Sequence, residues 1–208
     1  MLVIKRTVPK ILRLFYDKTS VLVYKKSVAS VCADVNNKKP TVEMNIYRRL
    51  EEFMWPEKYF RHRSNLIEDR FLRGDSVVVF WEETKVAHIA WVGCRKMIVA
   101  LDETGPRCYL PLDSAGLVIY DCWTPEKMRR KGYYSNALKS IGFSWKGEGK
   151  DLWIYCLKNN FASKNAIEST GFEVVAELTR KRVLSATLKE ECRVLRKDIM
   201  EGRASVQV

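Results

Sequence analysis

Four cationic side chains and a glycine fall within six residues, Lys127-Met128-Arg129-Arg130-Lys131-Gly132. Before them the run Leu117-Val118-Ile119-Tyr120 is apolar and β-branched, the pattern of a strand in the middle of a sheet. After Pro125 the period changes, with Tyr134, Ala137, Leu138, Ile141 and Trp145 recurring at helical spacing. A strand that feeds a helix through such a turn leaves backbone N–H groups unpaired at the positive end of the helix dipole. Cations around those groups outline a phosphate site. Basic strand-to-helix turns also serve solubility alone, so a second feature is needed before the outline points to a ligand.

That feature lies downstream. The run Asp151-Leu152-Trp153-Ile154-Tyr155-Cys156 reads as another strand. Asn159-Asn160-Phe161-Ala162-Ser163 follows, then a short helical stretch with Ala166 and Ile167 on one side, then Gly171-Phe172. Arg129-x-x-Gly132 opening a helix, followed by a strand and by Asn160-x-x-Ser163 with Gly171-Phe172 eight residues after the serine, resembles the GNAT superfamily of acyl-CoA N-acyltransferases. The resemblance is close over residues 115–175 and extends more loosely, through a strand pair at 76–94, to about two thirds of the chain.

The resemblance implies acetyl-CoA as the acyl donor, with the turn around its phosphates. Arg129, Arg130, Lys131, Gly132, Tyr133 and Tyr134 would bind the cofactor, the backbone N–H groups from Arg130 to Tyr134 surrounding the pyrophosphate. Gly132 would allow a close approach that a Cβ blocks. Relatives carry glycine or alanine two residues after this glycine; Tyr134 stands there instead, so the phosphate pocket must be shaped differently. In the family the strand before the turn splays from the next parallel strand, and pantetheine pairs with its backbone, here near Cys122, Trp123 and Thr124. Asn160 would bond the pantetheine arm and Ser163 would lie near the pyrophosphate. Both residue types also cap helices without any ligand, and the two readings stand side by side.

Acyl transfer to an amine needs two proton transfers, one off the amine and one onto the departing thiolate. Many GNAT enzymes place a tyrosine four residues after the serine for the second task; here that residue is Ile167, which can do neither. Asp121 is the candidate base, because a carboxylate inside an otherwise apolar strand would have its pKa raised by desolvation. Its other reading is a bond to a nearby loop. Tyr120 and Tyr133 are candidate acids by proximity in sequence.

The elements that must position these residues can be read in order. Residues 1–30 hold seven Lys or Arg against one acid, Asp17. They read as a short strand, a helix from Pro9 and a strand at Val21–Tyr24, or as a basic amphipathic segment resting on anionic membrane. Cys32–Pro40 is loop-like, and a short strand is expected after Thr41. Tyr59–Leu72 fits a helical stripe ending at Gly74, and Trp55, Tyr59 and Phe60 are candidates for an acceptor pocket. Asp75–Phe80 and Val86–Val92 read as a hairpin, and Met97–Leu101 with Cys108–Leu112 as a second one. Val174–Leu178 and Arg182–Leu184 are strand-like, and the last ~20 residues read as a charged tail or frayed helix.

Composition bounds the rest. The chain has 208 residues, 47% hydrophobic and 30% charged, enough for one domain with a substantial core. Its net charge of +12 would suit nucleic acid, but no helix-turn-helix, zinc-finger or RRM pattern accompanies it, and a phosphate-bearing cofactor accounts for part of it. The six cysteines contain no C-x-x-C and neither histidine is close to them in sequence, so no metal site is expected. No run nears the ~18 apolar residues of a membrane span, and Lys5, Arg6, Lys10 and Arg13 interrupt any signal core, so a cytoplasmic location is expected.

The resulting expectation is an α/β fold with a mixed, mostly antiparallel sheet and helices on both faces. Residues 1–40 would be a basic extension packed on the core, 41–190 the acyltransferase domain and 191–208 a charged tail. The activity implied is transfer of an acetyl or short acyl group from CoA to a primary amine. Similarity to family members associated with bacterial surface polysaccharide synthesis points to an amino-sugar acceptor. A protein or aminoacyl-RNA acetyltransferase and a non-catalytic acyl-CoA-binding regulator are the alternatives.

Overall fold

The computed structural model describes residues 16–27, 30, 43–52, 64–100, 108–148, 150–183 and 186–195. Its strands are β1 (Tyr16–Lys26), β2 (Glu43–Tyr47), β3 (Ser76–Glu82), β4 (Lys85–Ala100), β5 (Cys108–Trp123), β6 (Leu152–Leu157), β7 (Glu173–Val183) and β8 (Ala186–Val194). Among the described residues the α-helices α1 (Ser64–Leu72), α2 (Tyr133–Trp145) and α3 (Phe161–Glu168) join them. The strands form one sheet in the order β2-β3-β4-β5-β6-β1-β7-β8. Every neighbouring pair is antiparallel except β5 and β6. The fold class read from the sequence is the one observed.

Alternation along the strands sends their side chains to two opposite faces. On the first, Val78, Phe80, Leu117 and Ile119 pack against Ala137, Leu138 and Ile141 of α2 and Ile167 of α3. On the second, Val77, Val79 and Trp91 pack against Ile67 of α1. The far half of the long β4–β5 hairpin brings Ile98, Leu110 and Leu112 onto Val21, Val23, Val118 and Trp153 instead. Gly116 permits this folding-over, because a Cβ there would stand 2.5 Å from the Trp153 ring. Both hairpins read from sequence are present, β3 with β4 and the far ends of β4 and β5, and they share the one long strand β4, whose pairing with β5 is bent by register shifts at Ile89/Trp91 and Arg95/Met97.

Two further readings are corrected. Residues 16–26 do not lie on the core as an extension; as β1 they are an interior strand between β6 and β7. The boundary drawn at residue 40 therefore cuts through the sheet. Charged residues at the end of β1 are accommodated because each has a partner: Lys25 Nζ lies 2.8 Å from Asp151, and Lys26 Nζ donates to the Thr170 carbonyl at 2.7 Å. At the other end, residues 191–194 belong to β8, paired with β7, and not to a tail. The expected helix at Pro9 and the pocket candidates Trp55, Tyr59 and Phe60 lie outside the described residues. Among the described residues no helix is long and apolar enough to cross a membrane.

Candidate functional site

The parallel pairing of β5 with β6 is short. It runs from Leu117↔Leu152 to Ile119↔Ile154 and stops. Beyond it, among the described residues, each strand is held only from its outer side, β5 by β4 and β6 by β1, which pairs out to Leu157. The two strand ends, Tyr120–Trp123 and Tyr155–Leu157, therefore part. A bulge starts the divergence. Asp121 has φ +46°, a left-handed conformation that breaks the extended repeat and that aspartate tolerates better than most residues. Separated strand ends expose unpaired backbone donors and acceptors, into which an extended amide-bearing ligand can fit as an added strand.

The basic turn closes one end of this gap. Met128 N–H and Arg129 N–H bond back to Pro125 and Glu126, at 2.8 and 3.2 Å. Arg130 and Gly132 then take left-handed conformations, φ +63° and +79°. The first helical bond of α2 is Asn136 N–H to Gly132 O, at 3.0 Å. Among the described residues, the N–H groups from Arg130 to Ser135 have no backbone acceptor. An ideal Cβ on Gly132 would have nothing within 4 Å, so the glycine answers to its φ and to the open space ahead of it, not to contact with the protein. An open nest of N–H groups at a helix start fits a diphosphate.

The turn's side chains divide their work. Arg129 Nε donates to the Thr124 carbonyl at 3.2 Å, which ties the turn to the end of β5. The Thr124 carbonyl is thereby engaged by the turn. Lys131 Nζ lies 3.1 Å from Glu82 at the end of β3, and Tyr133 gives its hydroxyl to the same carboxylate. The Tyr133 hydroxyl and the lysine together lower the Glu82 pKa, and Glu82 in turn raises that of Tyr133. Tyr133 is thus committed to Glu82.

Asn160 caps α3: its Oδ1 accepts from Ser163 N–H at 3.2 Å. That is the capping reading, and it leaves the side-chain amide NH2 available to a ligand. Ile167 is fully buried in the first core. Across from α3, the Tyr134 ring stacks on His88, with centroids 5.1 Å apart. Burial first, and then the Cys122 and Cys156 thiols, raise the Tyr134 pKa well above its ordinary value, against a lowering by Ser163. Burial pushes the Cys122 thiol up to about 12, so it stays protonated. His88 Nδ1 lies 2.7 Å from Thr124 Oγ1, its Nε2 has no partner among the described residues, and burial lowers its pKa to about 3.

The two remaining candidates turn to the other face. Asp121 Oδ2 accepts from Arg70 Nη1 of α1 at 2.7 Å, and the guanidinium sits between the rings of Trp91 and Tyr120, at 4.9 and 5.1 Å. Tyr120 donates to Asp75 at 2.7 Å; Asp75 is wholly buried and also ion-pairs with Arg95. Burial, then the Asp75 bond, raises the Tyr120 pKa far above its ordinary value. The apolar, desolvated setting that made Asp121 a base is therefore not what surrounds it. Sequence reasoning missed His88, Glu82, Arg70 and Asp75, none of which stands at a motif spacing.

No family model matches the sequence, and no curated protein matches it. Solved structures do resemble the fold. A functionally unknown conserved protein of Staphylococcus epidermidis superposes with a TM-score of 0.56 at 10% identity, over 88% of this chain and 68% of its own. A GNAT-family acetyltransferase of Colwellia psychrerythraea gives 0.50 at 14% identity, over 81% and 57%. A protein of Novosphingobium aromaticivorans assigned to the same family gives 0.50 at 11%, over 80% and 64%. The chain spans between 57% and 68% of the length of these three proteins. Its mixed, mostly antiparallel sheet with helices is similar to the fold of GNAT acetyltransferases.

Proposed function

We propose that the chain is an N-acyltransferase that moves an acetyl or other short acyl group from acyl-CoA to a primary amine. The observation that carries this reading is the gap between β5 and β6 opening onto the unpaired N–H groups of residues 130–135. A ligand with a diphosphate at one end and amides along its length matches both parts. The diphosphate takes the N–H nest with Arg130 and Lys131 beside it, and the amides pair with the Cys122–Trp123 backbone and the Asn160 side chain. Lys131 must leave Glu82 or share it. Bound CoA would supply an activated acyl carbon, and the strand ends would hold it where an amine can reach it.

An amino sugar is the acceptor we favour, from the resemblance to polysaccharide-associated acyltransferases; a protein or aminoacyl-RNA amine is the other choice. A non-catalytic acyl-CoA-binding regulator is favoured by one observation: Ile167 and the Arg70-paired Asp121 leave the usual proton-transfer positions without a working group. Binding of acetyl-CoA without turnover on any amine would select it.

The test is thermal. A ligand that binds only the folded state stabilises it by about 2.7 kcal/mol at 100 times its Kd, so millimolar acetyl-CoA is expected to raise the melting temperature by several degrees. Gly132→Val, which cannot take φ +79° without strain, is expected to remove most of that rise. An unchanged wild-type melting curve would overturn the acyl-CoA reading.

A further inference from the structure

His88 uses one ring nitrogen, and the unused one fixes the role of the first. The residue is 1% exposed, with Nδ1 2.7 Å from Thr124 Oγ1 and Nε2 without a partner among the described residues. The pairing of Ile89 with Trp123 sets His88 and Thr124 side by side at the end of β5. Burial disfavours a charge on the imidazole, so one nitrogen alone carries a proton. A proton on Nε2 would be a buried N–H with no acceptor, the arrangement that folded proteins avoid most strictly. Placed on Nδ1, the proton is satisfied by Thr124 Oγ1, and Nε2 keeps only a bare lone pair.

Thr124 Oγ1 therefore accepts from the ring, and its own proton is given elsewhere. Among the described residues the hydroxyl has no second partner. Thr124 is half-buried, and its carbonyl accepts from Arg129 Nε at 3.2 Å, which holds the residue against the basic turn. The imidazole that meets it lies near the rings of Phe80 and Tyr134, with centroids 6.1 and 5.1 Å away. Tyr134 is the second residue of α2, and its N–H is one of those left without a backbone acceptor. Contacts from Thr124 through His88 to Tyr134 thus bring the hydroxyl to the first turn of α2, where the N–H nest lies. We propose, resting on the acyl-CoA reading, that the Thr124 hydroxyl is a further donor to the diphosphate of CoA and that His88 is the positioning residue that aims it.

The chemistry favours this pairing of donor and acceptor. A hydroxyl that already accepts an N–H bond is polarised into a stronger donor, and a charged oxygen is the acceptor that gains most from it. The other side chains of the turn are engaged: Lys131 and Tyr133 with Glu82, and Arg129 Nε with the Thr124 carbonyl. Glu82, drawn to Lys131 and Tyr133, is not printed as a partner of Thr124, so the hydroxyl meets no carboxylate that would compete with the phosphate.

Binding isotherms of CoA, dephospho-CoA and pantetheine read the contact without knowledge of the acceptor amine. Dephospho-CoA keeps the diphosphate and lacks only the 3′-phosphate; pantetheine has neither. Thr124→Val, which keeps the shape and removes the hydroxyl, is expected to weaken CoA and dephospho-CoA by about tenfold and pantetheine by less than about twofold. Thr124→Ser, which keeps the hydroxyl, is expected to recover most of that loss. His88→Leu is expected to weaken CoA in wild type and to do little more in the Thr124→Val protein, because the two side chains act through one bond. His88→Asn offers an amide N–H near the place of Nδ1, and is expected to bind CoA more tightly than His88→Leu; it carries the same comparison where His88→Leu does not fold. CoA affinity unchanged in Thr124→Val overturns the proposal while leaving the acyl-CoA reading standing. A loss shared equally by pantetheine overturns it too, because the hydroxyl then serves packing or the amide arm. Equal losses from the His88 substitution in both backgrounds overturn the positioning role. Absence of any CoA-dependent rise in the wild-type melting temperature takes down the acyl-CoA reading, and the proposal with it.

Discussion

His88 is buried with one nitrogen satisfied by Thr124 and the other without a partner among the described residues, and it stays neutral because a charge there would be desolvated. Its folded pKa, about 3, lies below the ordinary value near 6.5 that it regains on unfolding. Above pH 6.5 neither state holds the extra proton and the full stability is present. Between about 6.5 and 3 the unfolded state binds a proton that the folded state refuses, so stability falls as pH falls. Urea unfolding at pH 7 and pH 4 is expected to differ by on the order of a few kcal/mol from this group, and by less in His88→Gln. Equal pH slopes in the two proteins would refute the assignment. Asp121 poses a different question. A general base replaced by asparagine loses roughly 10²–10⁴-fold in turnover. An anchor that pairs with Arg70 and fixes the bulge instead loses about 1–3 kcal/mol of stability and keeps most of its turnover. The ion pair and the positive φ favour the anchor, and Asp121→Asn measured by both denaturation and acetyl transfer separates the two.

At the scale of elements, the stretches that sequence patterning located best are those with one face or no face exposed. The apolar run of β5, the glycine turn, the helical stripe of α2 and the β6–α3 pair all carry strong local signals, and each is where it was expected. β1 was placed wrongly for a physical reason. Val21–Tyr24 is a short apolar run flanked by Lys18, Lys25 and Lys26, and the partners that make those charges tolerable in a sheet, Asp151 and Thr170, lie more than a hundred residues away. Long-range pairing leaves no trace in a local window. The site shows the same division. The turn and the Asn160 cap were legible, whereas Glu82 and His88 reach the site from a neighbouring hairpin that carries no motif. Val23 of β1 is wholly buried between β6 and β7, so Val23→Asp places an unpaired charge in the sheet. Loss of the folded protein is expected by circular dichroism and gel filtration. A folded variant that still binds CoA would restore the view of this segment as a dispensable extension.

For the whole molecule, the question is whether the charge of +12 acts as one field or is used locally. Among the described residues many cations are already matched: Lys25 with Asp151, Arg70 with Asp121, Arg95 with Asp75, Lys158 with Glu177. Pairs of this kind contribute little to a long-range field, which is also screened within about 10 Å at ordinary salt. The turn differs in position: Arg130 and Lys131, the latter paired with Glu82, flank backbone N–H groups that a phosphate would share. Recognition by that turn depends on position, while polyanion binding depends on total charge and falls steeply with salt wherever the cations sit. Arg130→Asn, chosen because asparagine tolerates φ +63°, combined with Lys131→Ala, removes two charges of the turn and little of the whole. At about 1 kcal/mol for each lost phosphate contact, CoA affinity is expected to drop roughly tenfold or more. Affinity for pantetheine, which carries no phosphate, is expected to change little, and so is retention on an RNA column at fixed salt. Equal losses for CoA and pantetheine would mean that the turn acts through packing. A collapse of RNA retention in the double variant would make the turn the polyanion site and turn the choice of acceptor toward RNA.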